Sequence, residues 1–251
     1  MLDIETIETM LHRIYIGAGG TSLRKEDRKK ATEVLAFLGE IARALGKRNR
    51  HVTLVDAAAG KAYLGLLTAE LLLGPRGQSA DVILIERDER QALASRRAVA
   101  NLAGENVRFE VRRADLADTS VWPTAPDLVV ALHACGPASD ATIDGAIAGR
   151  ARHLLLVPCC TSDSVPASSL ATRKADWLGL PRHAEVRRRF IQSIVDAERT
   201  LRLEAAGYQT IVLPFVPPTV TAHNLLWRAR RVGETSRMAR AAADLRRLRS
   251  A

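Results

Sequence analysis

Three carboxylates in this 251-residue chain stand where a nucleoside would meet them. Asp56 ends the apolar run Val52 to Val55, Glu86 ends the run Val82 to Ile85, and Asp115 follows Val107 to Val111. A carboxylate after a second strand can accept both hydroxyls of a ribose, and the pair Asp115-Leu116 suits an adenine, hydrogen-bonding its amino group and packing on its ring. Between the first two, Ala57-Ala58-Ala59-Gly60-Lys61 opens a helix with small residues that let backbone approach a ligand. Each carboxylate alone reads as well as a helix cap. Together, at three successive strand ends, they outline one cleft. A nicotinamide dinucleotide needs a full Gly-x-Gly-x-x-Gly turn to admit its pyrophosphate, and only Gly60 is offered here. S-adenosylmethionine has no phosphate and tolerates a turn with fewer glycines, so these residues favour it as the cofactor.

A second group follows the next two apolar runs: Leu132-His133-Ala134-Cys135-Gly136, and Val157-Pro158-Cys159-Cys160. A sulfonium methyl is already electrophilic, so positioning supplies most of the catalysis, and a base is needed only for a hydroxyl or a protonated amine. His133 has the intrinsic proton affinity for that task. A histidine that only shapes its loop fits equally well. The cysteines do not have the paired Cys-x-x-Cys spacing of a zinc site, and no metal is expected. Pro158-Cys159 has the context of the thiol nucleophile in RNA 5-methylcytosine enzymes; small apolar cysteines lining a pocket are the simpler reading.

These residues must be carried by alternating elements. Asp3 to Tyr15 and Glu26 to Leu45 repeat apolar residues at three- and four-residue spacing and form an N-terminal helical layer. Five apolar strands, at Val52, Val82, Val107, Leu128 and Leu154, alternate with helical stretches at Leu64 to Leu73, Glu89 to Leu102 and Asp140 to Ala148. That alternation predicts a parallel sheet covered on both faces and wound in the right-handed sense. A basic helix over Ala184 to Ala206 then leads to Gln209 to Phe215 and Leu225 to Ala229, two strands close enough to pair as an antiparallel hairpin. The expected organisation is a helical layer over 1–48, a Rossmann-like domain with a mostly parallel seven-stranded sheet over 49–231, and a basic, mobile tail over 232–251.

Composition narrows the setting. Apolar residues are 47% and charged residues 26% of the chain, enough for a large core. The longest apolar run, Leu64 to Leu73, carries Thr68 and Glu70 and is half the length of a membrane span. The acidic N-terminus does not resemble a secretory signal, and three cysteines make no disulfide framework, so a cytoplasmic location is expected. Net charge is +9 from 37 basic and 28 acidic residues, with eight arginines against two acids in Arg228 to Ala251. Further basic clusters lie at Arg24 to Lys30 and Lys47 to Arg50. Arg182-His183 and Arg187-Arg188-Arg189 add a possible phosphate-contacting face. Such clusters point to RNA through counterion release, although aromatic residues, at 4%, give little stacking surface.

The turn Asp56-x-x-x-Gly60-Lys61-x-Tyr63-Leu64, the segment Leu132-His133-Ala134-Cys135-Gly136 followed by Ser139-Asp140, and the later Pro158-Cys159-Cys160 resemble, in that order, a group of class I methyltransferases. That group includes the acceptor-stem tRNA 2′-O-methyltransferases and several methyltransferase-like proteins. The resemblance covers roughly Lys29 to Ala229. It implies an S-adenosylmethionine-dependent enzyme with Asp56, Ala58, Gly60, Lys61, Glu86, Asp115, Leu116 and His133 around the cofactor, and with His133 and Cys135 at the chemistry. Family members carry Gly-x-Gly-x-Gly where Ala58, Gly60 and Ala62 stand, so alanine replaces two glycines. RNA is the expected substrate. Two alternatives are an RNA-binding module that has lost the cofactor and a methyltransferase acting on a small molecule.

Overall fold

The computed structural model describes residues 2–15, 25–47, 50–102, 106–158, 163–221 and 224–250, without the side chains of Tyr15 and residues 25–28. Four strands are buried along nearly their whole length: β1 (Val52–Ala57), β2 (Ala80–Glu86), β4 (Leu128–Ala134) and β5 (His153–Pro158). Continuous apolar runs behave this way when helices cover both faces of a parallel sheet. β3 (Val107–Arg113) differs from that expectation. Its apolar Val107, Phe109 and Val111 alternate with Arg108, Glu110 and Arg112, as suits its position at the sheet edge. The strand order is β3-β2-β1-β4-β5-β7-β6, the first five parallel. β7 (Leu225–Arg231) runs antiparallel to both β5 and β6 (Tyr208–Pro214), which completes the expected hairpin. The chain crosses from the β3 edge to β4 on the far side of β1, and a ligand crevice opens at the carboxyl ends where strand order reverses in this way.

Apolar stripes fasten the helices to each face. α1 (Ile4–Tyr15), α2 (Lys25–Leu45), α3 (Tyr63–Thr68) and α4 (Glu89–Ala100) lie on one side, where Ile7, Val34, Phe37, Leu38 and Ile41 are fully buried with Leu54, Leu84 and Val130. α5 (Pro137–Ala148) and α7 (Ala184–Ala205) cover the other side over Val55, Val129, Leu154 and Trp227. Among the described residues no helix is long and apolar enough to cross a membrane.

Three further elements depart from the sequence reading. The helix expected to run through Leu73 changes at Ala69 into a turn of π-helix, Ala69–Leu73. α6 (Pro166–Trp177) lies in a stretch to which the sequence reading assigned no element; Pro166 in its first turn is the start signal that reveals it. The supposed mobile tail is helix α8 (Thr235–Ser250), packed along α7 with Ala241 buried. Arg249 pairs with the buried Glu198, Arg237 approaches Glu204, and Arg228 of β7 is held by Glu40 of α2 at 2.8 Å. Much of the basic charge assigned to the tail is thus neutralised within the fold.

A buried ionic cluster joins α5 to α7. Asp140 accepts from Arg199 at 2.8 Å and Arg202 at 2.6 Å, and Arg199 is wholly buried. Asp196 lies 3.8 Å from the same guanidinium, yet burial pushes its carboxyl up to about 6. Asp140, part of the motif that carries the resemblance, therefore holds two helices together.

Candidate cofactor and methyl-transfer site

The turn after β1 adopts left-handed backbone at Ala58 (φ 53°), Gly60 (φ 57°) and Ala62 (φ 61°). Alanine thus occupies a left-handed conformation that favours glycine at two positions. Left-handed backbone costs an L-residue roughly 1–2 kcal/mol. Four hydrogen bonds hold the turn. Ala59 N–H donates to the Ile85 carbonyl (3.1 Å), Ala62 N–H to that of Ala59 (2.7 Å), Gly60 N–H to Glu86 Oε2 (2.8 Å), and Ser95 Oγ to the Gly60 carbonyl (3.0 Å). Ala58→Gly should therefore stabilise the fold by about 1 kcal/mol, read from chemical unfolding. Ala62→Gly should be nearly neutral, because the Ala62 methyl is fully buried in the core and its loss costs about 0.8 kcal/mol. Equal stabilisation at the two positions would contradict this assignment of strain.

Asp56 lies beneath the turn. Its Oδ2 accepts from the Gly65 amide at 2.9 Å, and it is buried. The first residue flanking α3, Ala62, has no capping side chain, so Asp56 supplies the missing acceptor from β1. Burial pushes its carboxyl up to about 7, with Glu86 adding to the rise and the Gly65 amide and Lys30 opposing it. Gly65 packs closely on β2: a Cβ there would sit 2.5 Å from Leu84 Cδ2, so a larger residue would require the Leu84 side chain to shift.

Glu86 does more than the sequence suggested. Besides accepting from Gly60, it takes the Asp88 amide on Oε1 at 2.8 Å, so it ties the end of β2 to the turn of β1. A carboxylate has about four lone-pair sites. Two are used, and two remain for a pair of ribose hydroxyls. A cavity of about 230 Å³ opens beside it, lined by Ala58, Ile85, Glu86, Arg87, Ala114, Leu116, His133, Cys135 and Ala138. Leu116 is buried, and the Trp122 indole N–H holds its carbonyl at 2.9 Å. Asp115 is exposed, does not line the cavity, and accepts from the Ala117 amide at 2.9 Å. Lys61 is exposed and, like Asp56 and Gly60, is outside the lining. Ala58, Glu86, Leu116, His133 and Cys135 are the sequence candidates brought together around the cavity; Ile85, Arg87, Ala114 and Ala138 join them.

His133 sits at an irregularity. The β4–β5 register shifts between Leu132 and Ala134, and His133 takes φ 62°. A bulge re-aims a side chain, and a non-glycine residue held left-handed stores strain of a kind that clusters at functional sites. Its Nε2 lies 2.9 Å from Glu33 Oε2 on α2. Lys30, one turn earlier on the same helix, reaches that oxygen at 3.9 Å; burial lowers the proton affinity of its amine, while Glu33 and Asp56 raise it. Sequence reading missed Glu33 and placed Lys30 only in a basic cluster, since α2 appeared as a covering layer. Their spacing, which puts Lys30 and Glu33 on the same helical face as Val34, Phe37 and Ile41, was the available signal. Cys135 lines the cavity next to His133, with its Sγ 3.4 Å from the His133 carbonyl oxygen. Among the described residues no cluster of His, Cys, Asp and Glu could hold a metal; Cys159 and Cys160 lie outside them.

The order of the seven strands, the closing hairpin and a cavity at the β1/β4 reversal define the class I methyltransferase fold. The chain belongs to the methyltransferase-domain family, whose model matches residues 28–164. A glutathione S-transferase C-terminal domain-containing protein of Xenopus laevis is 28% identical over 193 residues, 68% of this chain. The chain spans 30% of that relative's length. Among solved structures, magnesium protoporphyrin IX methyltransferase from Synechocystis PCC 6803 with bound SAM aligns with TM-score 0.51 at 15% identity, covering 92% of this chain and 99% of that one. The CMeT domain of the citrinin polyketide synthase aligns with TM-score 0.50 at 12% identity, covering 82% of this chain and 52% of that one. Both show the same fold. S-adenosylmethionine is the cofactor of this class, and the cavity fits its nucleoside: Glu86 keeps two acceptor positions, and Ala58, Ile85 and Leu116 supply apolar walls.

Proposed function

We propose that this protein is an S-adenosylmethionine-dependent methyltransferase acting on RNA. The observation that carries the activity is the cavity at the strand reversal, with Glu86 at its wall and a turn that holds left-handed backbone at Ala58, Gly60 and Ala62. In this reading Glu86 holds the ribose, Leu116 and Ile85 enclose the adenine, and the turn from Ala58 to Lys61 faces the rest of the cofactor. Asp56 acts from below by fixing α3, and Asp115 contributes from outside the lining. The bound cofactor supplies an electrophilic methyl group. The protein's own task is to hold the acceptor in line with it and to exclude water. His133, on the cavity wall, takes the proton that a hydroxyl acceptor releases.

The RNA reading is supported by charge at the same end of the sheet. β5 ends at Pro158, and α7 begins beside a second cavity of about 240 Å³ lined by Asp163, Ser168, Ala184, Arg187, Arg188 and Ile191. Arg187 and Arg188 are each paired with an acid, but Arg182 and Arg189 make no ion pair among the described residues. Trp177, 82% exposed, adds an aromatic surface at the end of α6. The tail contributes less than its composition suggests, because α8 pairs several arginines internally. The test is transfer of tritiated methyl from S-adenosylmethionine to total tRNA and rRNA, with Arg182→Glu/Arg189→Glu beside the parent. Expected are labelled RNA, a steep loss of RNA binding with salt, and roughly tenfold weaker RNA binding by the variant. Label appearing only in small molecules would overturn the RNA reading.

A further inference from the structure

We propose that the β6 edge of the sheet is an interface at which a second copy of this chain pairs antiparallel, continuing the sheet across a two-fold axis. The two edges of the sheet differ in chemistry. β3, at one edge, carries Arg108, Glu110, Arg112 and Arg113, and charge on an edge strand keeps other strands from adding to it. β6, at the other edge, reads Tyr-Gln-Thr-Ile-Val-Leu-Pro and has no charged residue. Ile211 is 49% and Val212 38% exposed there, on opposite faces of the strand.

The backbone of this edge is open as well. At the two ends of the β6–β7 ladder, Phe215 N–H donates to the Asn224 carbonyl and Val232 N–H to the Gly207 carbonyl. Arg231 N–H donates instead to the Arg152 carbonyl, on the β5 side of β7. Alternation along an antiparallel pair therefore gives β7 the polar groups of Gln209, Ile211 and Leu213, and turns those of Tyr208, Thr210 and Val212 outward. The outward N–H groups have no partner among the described residues.

The strand fits itself. Antiparallel pairing centred on Ile211 sets Thr210 against Val212, and Tyr208 against Pro214, of the other copy. Each outward N–H then meets a carbonyl, and Pro214, which has no N–H, needs none. The two Ile211 side chains stand opposite each other at the axis, in a non-hydrogen-bonded pair where side chains approach most closely. Charge selects the same occupant. Two copies at +9 each repel, so they meet most easily through an uncharged strand. The nearest arginines of β7 are held within each copy, Arg228 by Glu40 at 2.8 Å and Arg230 by Gln209 at 3.0 Å. An acidic partner drawn by the net charge would find no cation on β6 itself. The contact is isologous and closes on itself as a dimer. β5 and β7 separate β6 from β4 and β1, so the cofactor cavity stays open.

Sedimentation equilibrium over about 1 to 100 μM protein should show a dimer. Hydrogen exchange should find the Thr210 and Val212 amides protected in that dimer, although neither bonds to β7. Ile211→Lys brings two cations together at the axis, and Thr210→Pro removes an outward N–H without touching the β6–β7 ladder. Each should raise the dissociation constant on the order of 100-fold, with S-adenosylmethionine affinity within about twofold of the parent. Ile211→Lys, at an exposed position, decides alone if Thr210→Pro does not fold. A parent that stays monomeric at about 100 μM, or a dimer that folded Ile211→Lys retains unweakened, would overturn the proposal. Protection of the same amides in monomeric protein would overturn it too, since another segment would then cover the edge.

Discussion

Glu86→Ala is expected to weaken binding of S-adenosylmethionine and S-adenosylhomocysteine by roughly 100-fold in a calorimetric titration, which corresponds to about 2.8 kcal/mol. Two losses add. The variant has no acceptor for the ribose, and the Gly60 and Asp88 amides lose the carboxylate that holds them at 2.8 Å. Hydrogen bonds to a charged group contribute about 1.5–3 kcal/mol each, so either loss alone approaches the expected figure. Glu86→Gln separates them. Its single oxygen can satisfy one of the two amides, and its NH₂ group faces a donor, so affinity should lie between those of the parent and Glu86→Ala. If Glu86→Ala binds within twofold of the parent, the ribose is not held at β2 and the cofactor reading of the cavity fails.

Arg199→Ala is expected to destabilise the fold by about 3–5 kcal/mol, measured by urea unfolding. The guanidinium is wholly buried between Asp140 and Asp196. Its removal leaves Asp140 buried with Arg202 as the remaining partner close to it and leaves Asp196 without a cation at the same site. The penalty comes from the stranded carboxylates rather than from the lost attraction, since burying an unpaired charge is what costs most. Adding Asp140→Ala should consequently cost less than it does in the parent, a coupling that a double-mutant cycle exposes. A loss below about 1 kcal/mol in Arg199→Ala would mean that water replaces the guanidinium and that the cluster is not dry.

Much of the architecture was legible because the strands that matter are short, apolar and buried on both faces, so periodicity alone separates them from helices. Val52, Val82, Leu128 and Leu154 all begin or enter strands as read, and Asp56 and Glu86 fall at strand ends because apolar runs stop there. Elements that depend on partners were harder. The sequence around α8 looks like a solvated arginine tail, and it becomes a docked helix only because Glu198 and Glu204 of α7 receive Arg249 and Arg237. α6 carries serines that compete for backbone hydrogen bonds in non-helical conformations, so its helical pattern is weak until Ala167, Leu170 and Ala171 are packed.

The candidate site divides in the same way. Sequence by itself determined the order of the elements, the strand ends that frame the cavity and the kind of molecule those ends suit, since these follow from local patterning and residue chemistry. It also marked Ala58 and Ala62 as departures from glycine, but only the tertiary structure decided that both hold left-handed backbone. The tertiary structure likewise turned Asp56 into a cap for α3 and left Asp115 outside the lining. It made Glu86 a tie between two strands and brought Glu33 to His133. These are contacts between residues 9, 26 and 100 positions apart. Pairings at such separations are set by how whole elements pack, and no local pattern in the chain encodes them.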